Sequence, residues 1–222
     1  MEKKGVLQIY VDAGFRESEG QSSGSAGLGV WIPALGTGAA LKAAAADNNE
    51  AESLAIFLGV VIGKLMSLSH SMILTDSRVN CDRIGSDGEL AGVLRIVRGA
   101  LQADGVGLEW RAREMTSLAD FFASLALEGK SLVATASNAK NPADKFRPLL
   151  QMEHKSKVPL KDATVKWLSL PSVSKAGPDF EKTQLSELVP DIASLMGTKI
   201  PESEFQVLIE HFWMRAQKAR TR

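Results

Sequence analysis

"DNNEAESLAIF", Asp47 to Phe57, is the stretch on which the reading of the chain turns. Polar residues lead into a run that stays apolar through Ile62. The pattern predicts a helix over residues 49–66, and apolar residues on every side mark it as an interior helix. Gly59 and Gly63 lie four apart on one face and let it sit close on a sheet. An acid just inside the start of such a helix needs a reason. Glu52 closes a capping box with Asn49, or it serves a site. Asp47 and Glu50 offer the same box.

Working outward, "GVLQIYVDAG" reads as a buried strand ending at Asp12, followed by the polar loop "FRESEGQSSGS". "AGLGVWIP" is a second strand stopped by Pro33, and "ALKAAAA" a third, the three forming an antiparallel meander. After the helix, "SMILTDSR" is a strand ending at Asp76, "SRVNCDRIG" a short helix, and Gly88–Gln102 a longer one. "VGLEWRAR" is the fifth strand. "TSLADFFASLAL" is an amphipathic helix with Leu118, Phe121, Phe122 and Leu125 at helical spacing. The order β-β-β-α-β-α-α-β-α belongs to the α/β class. Its long helix is a crossover that makes strands 1 and 4 parallel neighbours.

The 222 residues, 45% hydrophobic, suit one compact domain and something smaller. Residues 1–130 are expected to form that domain. Residues 131–178 read as a linker or irregular segment, polar, proline-bearing and basic. Residues 179–222 read as a small, mainly helical region. One helical pattern there lies near Phe180–Met196. The other starts near Pro201, with Phe205, Leu208, Ile209, Phe212 and Ala216 on one face.

Net charge is zero, so no global field draws nucleic acid. The charge is unevenly spread. Residues 1–138 hold 12 Lys and Arg against 16 Asp and Glu, and residues 139–222 hold 14 against 10, so a basic C-terminal part follows an acidic body. Cys81 is the sole cysteine, which excludes an internal disulfide and fits a reducing, cytoplasmic setting. No signal peptide is read at the start, and "LAIFLGVVIGKLM" is too short to span a membrane.

Singly, each acid has an ordinary structural reading: Asp12 starts a turn, Asp76 caps a helix, Asp120 is a solvated helix residue. Together they differ. Asp12 and Asp76 end parallel neighbours and emerge at the carboxyl edge of the sheet, where open α/β sheets place ligands. Glu52 sits in the first turn of the helix packed there, and Asp120 lies on the helix after strand 5. Like charges about 4 Å apart repel by about 4 kcal/mol at an effective dielectric of about 20. Such a cluster needs divalent cations or protonation. All-oxygen ligands suit Mg2+ or Mn2+, and two ions about 3.5–4 Å apart clamp an in-line displacement at phosphorus.

The local sequence resembles the type 1 ribonuclease H family, in the form that lacks the basic handle. "IYVDAG" resembles its strand-1 Y-x-D-G motif, "DNNEAESLAI" its T-N-N-x-A-E helix start, "LTDSRV" its T-D-S motif, and "EWRAREMTSLADFFA" its W-x-x-R-E-x-N-x-x-A-D-x-L-A ending. The match spans Val6 to Leu127, and the C-terminal region lies outside it. The resemblance implies a ribonuclease H-like five-stranded mixed sheet, order 3-2-1-4-5, flanked by helices. It implies a tetrad of Asp12, Glu52, Asp76 and Asp120, catalytic and metal-binding, with two Mg2+ or Mn2+ ions. It also implies substrate contacts from Asn48, Asn49, Ser77 and Arg113, and cleavage of the RNA strand of an RNA–DNA hybrid.

Some positions depart from the family pattern. Ala13 stands where a glycine usually follows the first aspartate, and Thr116 where asparagine is frequent. No histidine lies between strand 5 and Asp120, which costs about 10²-fold in rate if nothing replaces it; Arg113 or Arg111 is a candidate helper. Trp167 and Trp213 are weighed as base-stacking residues. The basic C-terminal region is expected to contribute a nucleic-acid or protein contact. Two other readings of the chain stand beside the nuclease: a catalytically silent binding module, and a DNA nuclease or recombinase on the same fold.

Overall fold

The structure, a computed structural model, describes residues 6–18, 23–65, 71–86, 88, 90, 92–136, 142–152, 157–160, 163–167 and 201–218. β1 (Leu7–Arg16) pairs antiparallel with β2 (Gly24–Ile32), and β2 with β3 (Thr37–Ala45). Pro33 ends β2 by opening a 3-10 turn. Gly36 then reverses the chain at φ 59°, a left-handed conformation that strains any side chain. β3 forms although alanine is a poor strand former, because every residue of it pairs with β2.

α1 (Asn48–Leu65) is buried from Ala51 through Gly63. One side lies on β1 and β2, and the other is covered by α3 (Gly92–Asp104), which explains why no polar face was needed. A Cβ on Gly59 would sit 2.8 Å from Val11 Cγ1, so this glycine sets the helix-to-sheet distance. β4 (Ser71–Thr75) runs parallel to β1, and β5 (Gly107–Trp110) parallel to β4. α2 (Arg78–Gly85) links β4 to α3. α4 (Arg113–Leu127) packs on the opposite face of the sheet. A Cβ on Gly29 would meet Ala119 O at 1.9 Å, and one on Gly27 would meet Ala123 O at 2.1 Å. The backbone of α4 therefore rests directly on β2, and this seating fixes where Asp120 stands.

The expected order 3-2-1-4-5 is present, but the count of five strands is corrected to eight among the described residues. The segment 131–178, read as a linker, supplies β6 (Leu132–Ala136), α5 (Pro142–Phe146), a 3-10 turn at Arg147–Gln151, β7 (Lys157–Leu160) and β8 (Ala163–Trp167). The full sheet order is β5-β4-β1-β2-β3-β6-β8-β7. β6 and β8 are only five residues each; their Val, Thr and Trp favour strands, and pairing with β3 and with each other places them in the sheet. Their inward side chains build a second apolar core with α4 and α5. There Phe146 stands edge-on to Trp31 at 5.8 Å and to Phe122 at 5.3 Å between ring centroids.

α6 (Glu202–Lys218) packs on α3, and its Ile209 is 1% exposed within the core that α1 centres. The layers thus run α6, α3, α1, sheet, α4. The C-terminal region predicted as a small separate helical piece contributes, through α6, to the main core. The helical pattern near Phe180–Met196 lies outside the described residues. Among the described residues no helix is long and apolar enough to cross a membrane.

The turn after α2 is held by one side chain. Arg98, on α3 and buried, donates to the carbonyls of Ile84 (3.0 Å), Gly88 (2.8 Å), Arg83 (2.7 Å) and Ser86 (2.6 Å). Arg83 and Ile84 lie in the last turn of α2, whose carbonyls lack helical partners, and Ser86 and Gly88 in the turn that follows. A planar fork with five N–H groups reaches all four at once, one more than a lysine has donors to serve. Arg98→Ala is expected to lower unfolding free energy by about 2–4 kcal/mol in urea melts, with Arg98→Lys recovering less than half.

Candidate metal centre

β1 outruns its neighbour. The parallel register ends with Tyr10 opposite Leu74, and Asp12 and Asp76 each follow two residues beyond that last pair. β4 stops at Thr75, whereas β1 does not end at Asp12, as the sequence suggested. It continues to Arg16, held by β2 alone. Asp12 therefore sits on a shoulder of strand that is bare on the β4 side, at the carboxyl end of the parallel pair. It is 3% exposed. Its Oδ1 accepts from the Ala13 N–H at 2.8 Å. The Thr116 hydroxyl lies 3.4 Å from its Oδ2 and 3.0 Å from the Arg113 carbonyl.

The start of α1 resolves the choice between the two capping boxes. Asp47 Oδ1 accepts from the Glu50 N–H at 2.8 Å, and Glu50 Oε2 accepts from the Ala46 N–H at 2.6 Å. That reciprocal pair closes the helix end, so Glu52 has no capping duty. Glu52 is 8% exposed, and its buried Oε2 has no hydrogen-bond partner among the described residues. A buried carboxylate oxygen left so is costly unless a cation or a proton meets it.

Asp76 is the residue after β4. Ser77 holds the N-cap position of α2, so Asp76 is not the cap. Its carbonyl accepts from the Arg78 N–H at 3.0 Å and from the Trp110 indole N–H at 3.1 Å, which fixes its backbone. One carboxylate oxygen from each of Asp12, Glu52 and Asp76 lies within 4.8 Å of the others.

The electrostatics follow from that crowding. Burial, then the charges of Asp76 and Asp120, push Asp12 from 3.8 up to about 7. Burial, then Asp12 and Asp76, push Glu52 from 4.5 up to about 9. Burial raises Asp76 as well, against the pull of Arg113. Three such acids cannot all be ionised together without a counter-charge. An all-oxygen set of carboxylates fits a hard divalent ion, and the orphaned Glu52 oxygen is a ligand atom in waiting. The triad can hold a divalent metal.

Asp120 stands outside that span, on α4, with its side chain 44% exposed and its Oδ1 3.5 Å from Arg113 Nη2. Its field nevertheless reaches all three acids of the triad. Of the two candidate arginines, Arg111 is taken up by a two-pronged ion pair with Glu109. Arg113 faces the acids and stays largely exposed. Asn48 and Asn49 are exposed in the first turn of α1. The Asn49 carbonyl is anchored by the Ser53 hydroxyl at 2.7 Å and the Asn80 amide at 2.9 Å. The Ser77 N–H donates to Thr75 Oγ1 at 3.1 Å.

Two residues at the site were not singled out from the sequence as part of it. Thr116 is fully buried beside Asp12; it lies one helical turn before Asp120, a spacing that could have flagged it. Trp110 was grouped with the core and is 44% exposed. Conversely, Trp167 is 7% exposed inside the second core and unavailable for stacking on a base. Trp213 packs on the main core with the Arg95 guanidinium 5.9 Å from its ring centroid. His70 and His154 lie outside the described residues, and His211 is on α6.

No protein-family model and no curated protein matches the chain. Solved structures do. The N-terminal RNase H domain of a Mycobacterium tuberculosis protein, solved as a fusion with maltose-binding protein, is 20% identical with a TM-score of 0.42. That alignment covers 55% of this chain and 95% of the other. RNase H1 from the halophilic archaeon Halobacterium salinarum is 17% identical with a TM-score of 0.41, over 56% of this chain and 99% of that one. LC9-RNase H1, a type 1 RNase H with the type 2 active-site motif, is 15% identical with a TM-score of 0.38, over 55% and 72%. By its own sheet order and crossover helix, the chain has a ribonuclease H-like α/β fold, extended by three strands and a C-terminal helix.

Proposed function

We propose that this protein is a metal-dependent ribonuclease H, an endonuclease that hydrolyses the RNA strand of RNA–DNA hybrids with two Mg2+ or Mn2+ ions. The observation that carries the reading is the meeting of three acids from β1, α1 and β4 within 4.8 Å, one of them with an orphaned buried oxygen. In this reading Asp12, Glu52, Asp76 and Asp120 are the ligands and catalytic residues. Divalent ions bound there would supply charge stabilisation at the phosphate and a lowered pKa for the attacking water. Asp12 and Glu52, buried and anchored on strand and helix, keep their oxygens fixed and exclude bulk water. Asp120, more exposed and paired with Arg113, is the adjustable member. Arg113 draws the product phosphate away, in place of the histidine that is missing from the segment before Asp120.

RNA would be told from DNA by its 2′-hydroxyls in the wide minor groove of the hybrid. Asn48 and Asn49 are exposed in the first turn of α1 with neutral donors and acceptors, and Ser77 directly follows Asp76 in the chain. The basic C-terminal part adds affinity for the backbone. Cutting the chain at residue 138 would also strip Phe146, Trp167 and Ile209 from the cores. Replacing Lys218, Arg220 and Arg222 by serine is the cleaner test, expected to flatten the salt dependence of hybrid binding.

The deciding assay incubates labelled hybrid, duplex DNA and duplex RNA with Mg2+ or Mn2+. Cleavage of the RNA strand of the hybrid alone is expected. Cleavage of duplex DNA would place the chain among DNA nucleases instead, and binding without any cleavage would make it a silent module.

A further inference from the structure

Among the described residues Trp110 is the most open tryptophan, 44% exposed where Trp31 and Trp167 are at 7%. It closes β5, an edge strand of the sheet. Two contacts fix it. Its indole N–H donates to the carbonyl of Asp76 at 3.1 Å, and the Arg78 guanidinium lies 5.9 Å from the ring centroid. Asp76 thus turns its carboxylate to the acidic cluster and its carbonyl to the indole. Arg78 and Val79, the next two residues but one along the chain from Asp76, are exposed as well. The hydrogen bond explains the orientation of the ring. It does not explain why so large an apolar surface, with a cation above it, is left facing solvent at the rim of the cluster.

A guanidinium held over an aromatic face by its charge keeps N–H groups for a further partner, and those match the oxygens of a phosphate. The rest of the indole surface offers flat apolar area for a sugar. Resting on the nuclease reading above, we infer that Arg78 and Trp110 form a clamp for the backbone of the nucleic-acid strand that crosses the acidic cluster. Arg78 takes one phosphate, and Trp110 packs against the adjoining sugar. The clamp gives the acidic body of this chain a backbone grip next to the scissile position, where the cluster alone would repel the strand.

The test uses the full chain and a fluorescently labelled hybrid, with Ca2+ added in place of Mg2+, and follows binding across a salt series. Arg78→Ala is expected to make the slope of log K against log salt shallower by about 0.9, the signature of one lost phosphate contact. Trp110→Ala is expected to weaken binding about 10-fold with the slope unchanged, and Trp110→Phe to recover most of it. In turnover with Mg2+ the Trp110→Ala loss appears in KM. A fall confined to kcat, with KM unmoved, would mean that the indole only braces Asp76, and overturns the clamp. Wild-type slope and affinity in both alanine variants overturn it too, while leaving nuclease activity standing. The expected binding changes in a protein that cleaves nothing would keep the clamp and remove the nuclease reading.

Discussion

Asp12→Asn and Asp76→Asn are each expected to lower the rate of hybrid cleavage by at least about 10³-fold, roughly 4 kcal/mol in the barrier. The change is isosteric, so the shape of the site survives. What is lost is one negative charge and one strong oxygen ligand in a set whose acids share a single small volume. A carboxamide holds a hard divalent ion poorly, and its NH2 group repels it. Initial rates under saturating Mg2+, with circular dichroism to confirm the fold, check this. A variant at either position that retains a tenth of wild-type activity would mean that the reaction does not run through this cluster. Asp120→Asn is expected to be milder, because Asp120 lies outside the tight group and is more exposed.

Neutralising an acid of the cluster acts on stability in the opposite sense. In the metal-free protein Glu52 is raised from 4.5 to about 9 and Asp12 from 3.8 to about 7. Between those limits the native state keeps protons that the unfolded chain has released. The unfolded state binds fewer protons, so stability falls as pH rises. The stability is whole below about pH 4 and is lost progressively up to about pH 9, Asp12 acting over the lower part of that window and Glu52 over all of it. Glu52→Gln removes the larger share of this slope. It is expected to raise unfolding free energy in EDTA by about 2–4 kcal/mol near pH 8.5 and by less than about 1 kcal/mol near pH 5. Mg2+ should stabilise the wild type more at the higher pH, since binding must displace those protons. Urea melts at the two pH values, with EDTA and with Mg2+, give all four numbers. A metal-free wild type as stable at pH 8.5 as at pH 5 would show that the acids are not forced together.

Much of this site was legible because the acids fall where local patterns change. Asp76 ends an apolar run, and Glu52 opens one; period and punctuation place both without long-range knowledge. Asp12 was rightly put at the carboxyl edge, yet wrongly at the end of its strand. A strand that loses one neighbour and keeps the other leaves no mark in its own residues. β6, β7 and β8 were passed over for a different reason: "LVATA" and "ATVKW" hold strand-forming Val, Thr and Trp, but each is five residues long beside a polar, proline-bearing stretch, and their partners lie far along the chain. Trp110 was misread because a tryptophan in a strand is usually core; only its place on the edge strand exposes it. α6 showed its helical period, but nothing local said that its apolar face would close over α3.

That last contact has a consequence for biosynthesis. Glu52 sits on the helix that α3 covers, and α3 is roofed by α6. A ribosome reads out the acids long before it reads out residues 202–218. Until those residues leave the exit tunnel, the nascent chain carries Glu52 on a helix whose outer packing is unfinished. A buried carboxylate is then held least firmly when it is newest. The assembly of the acidic cluster is thereby tied to the emergence of a helix that contributes none of its acids.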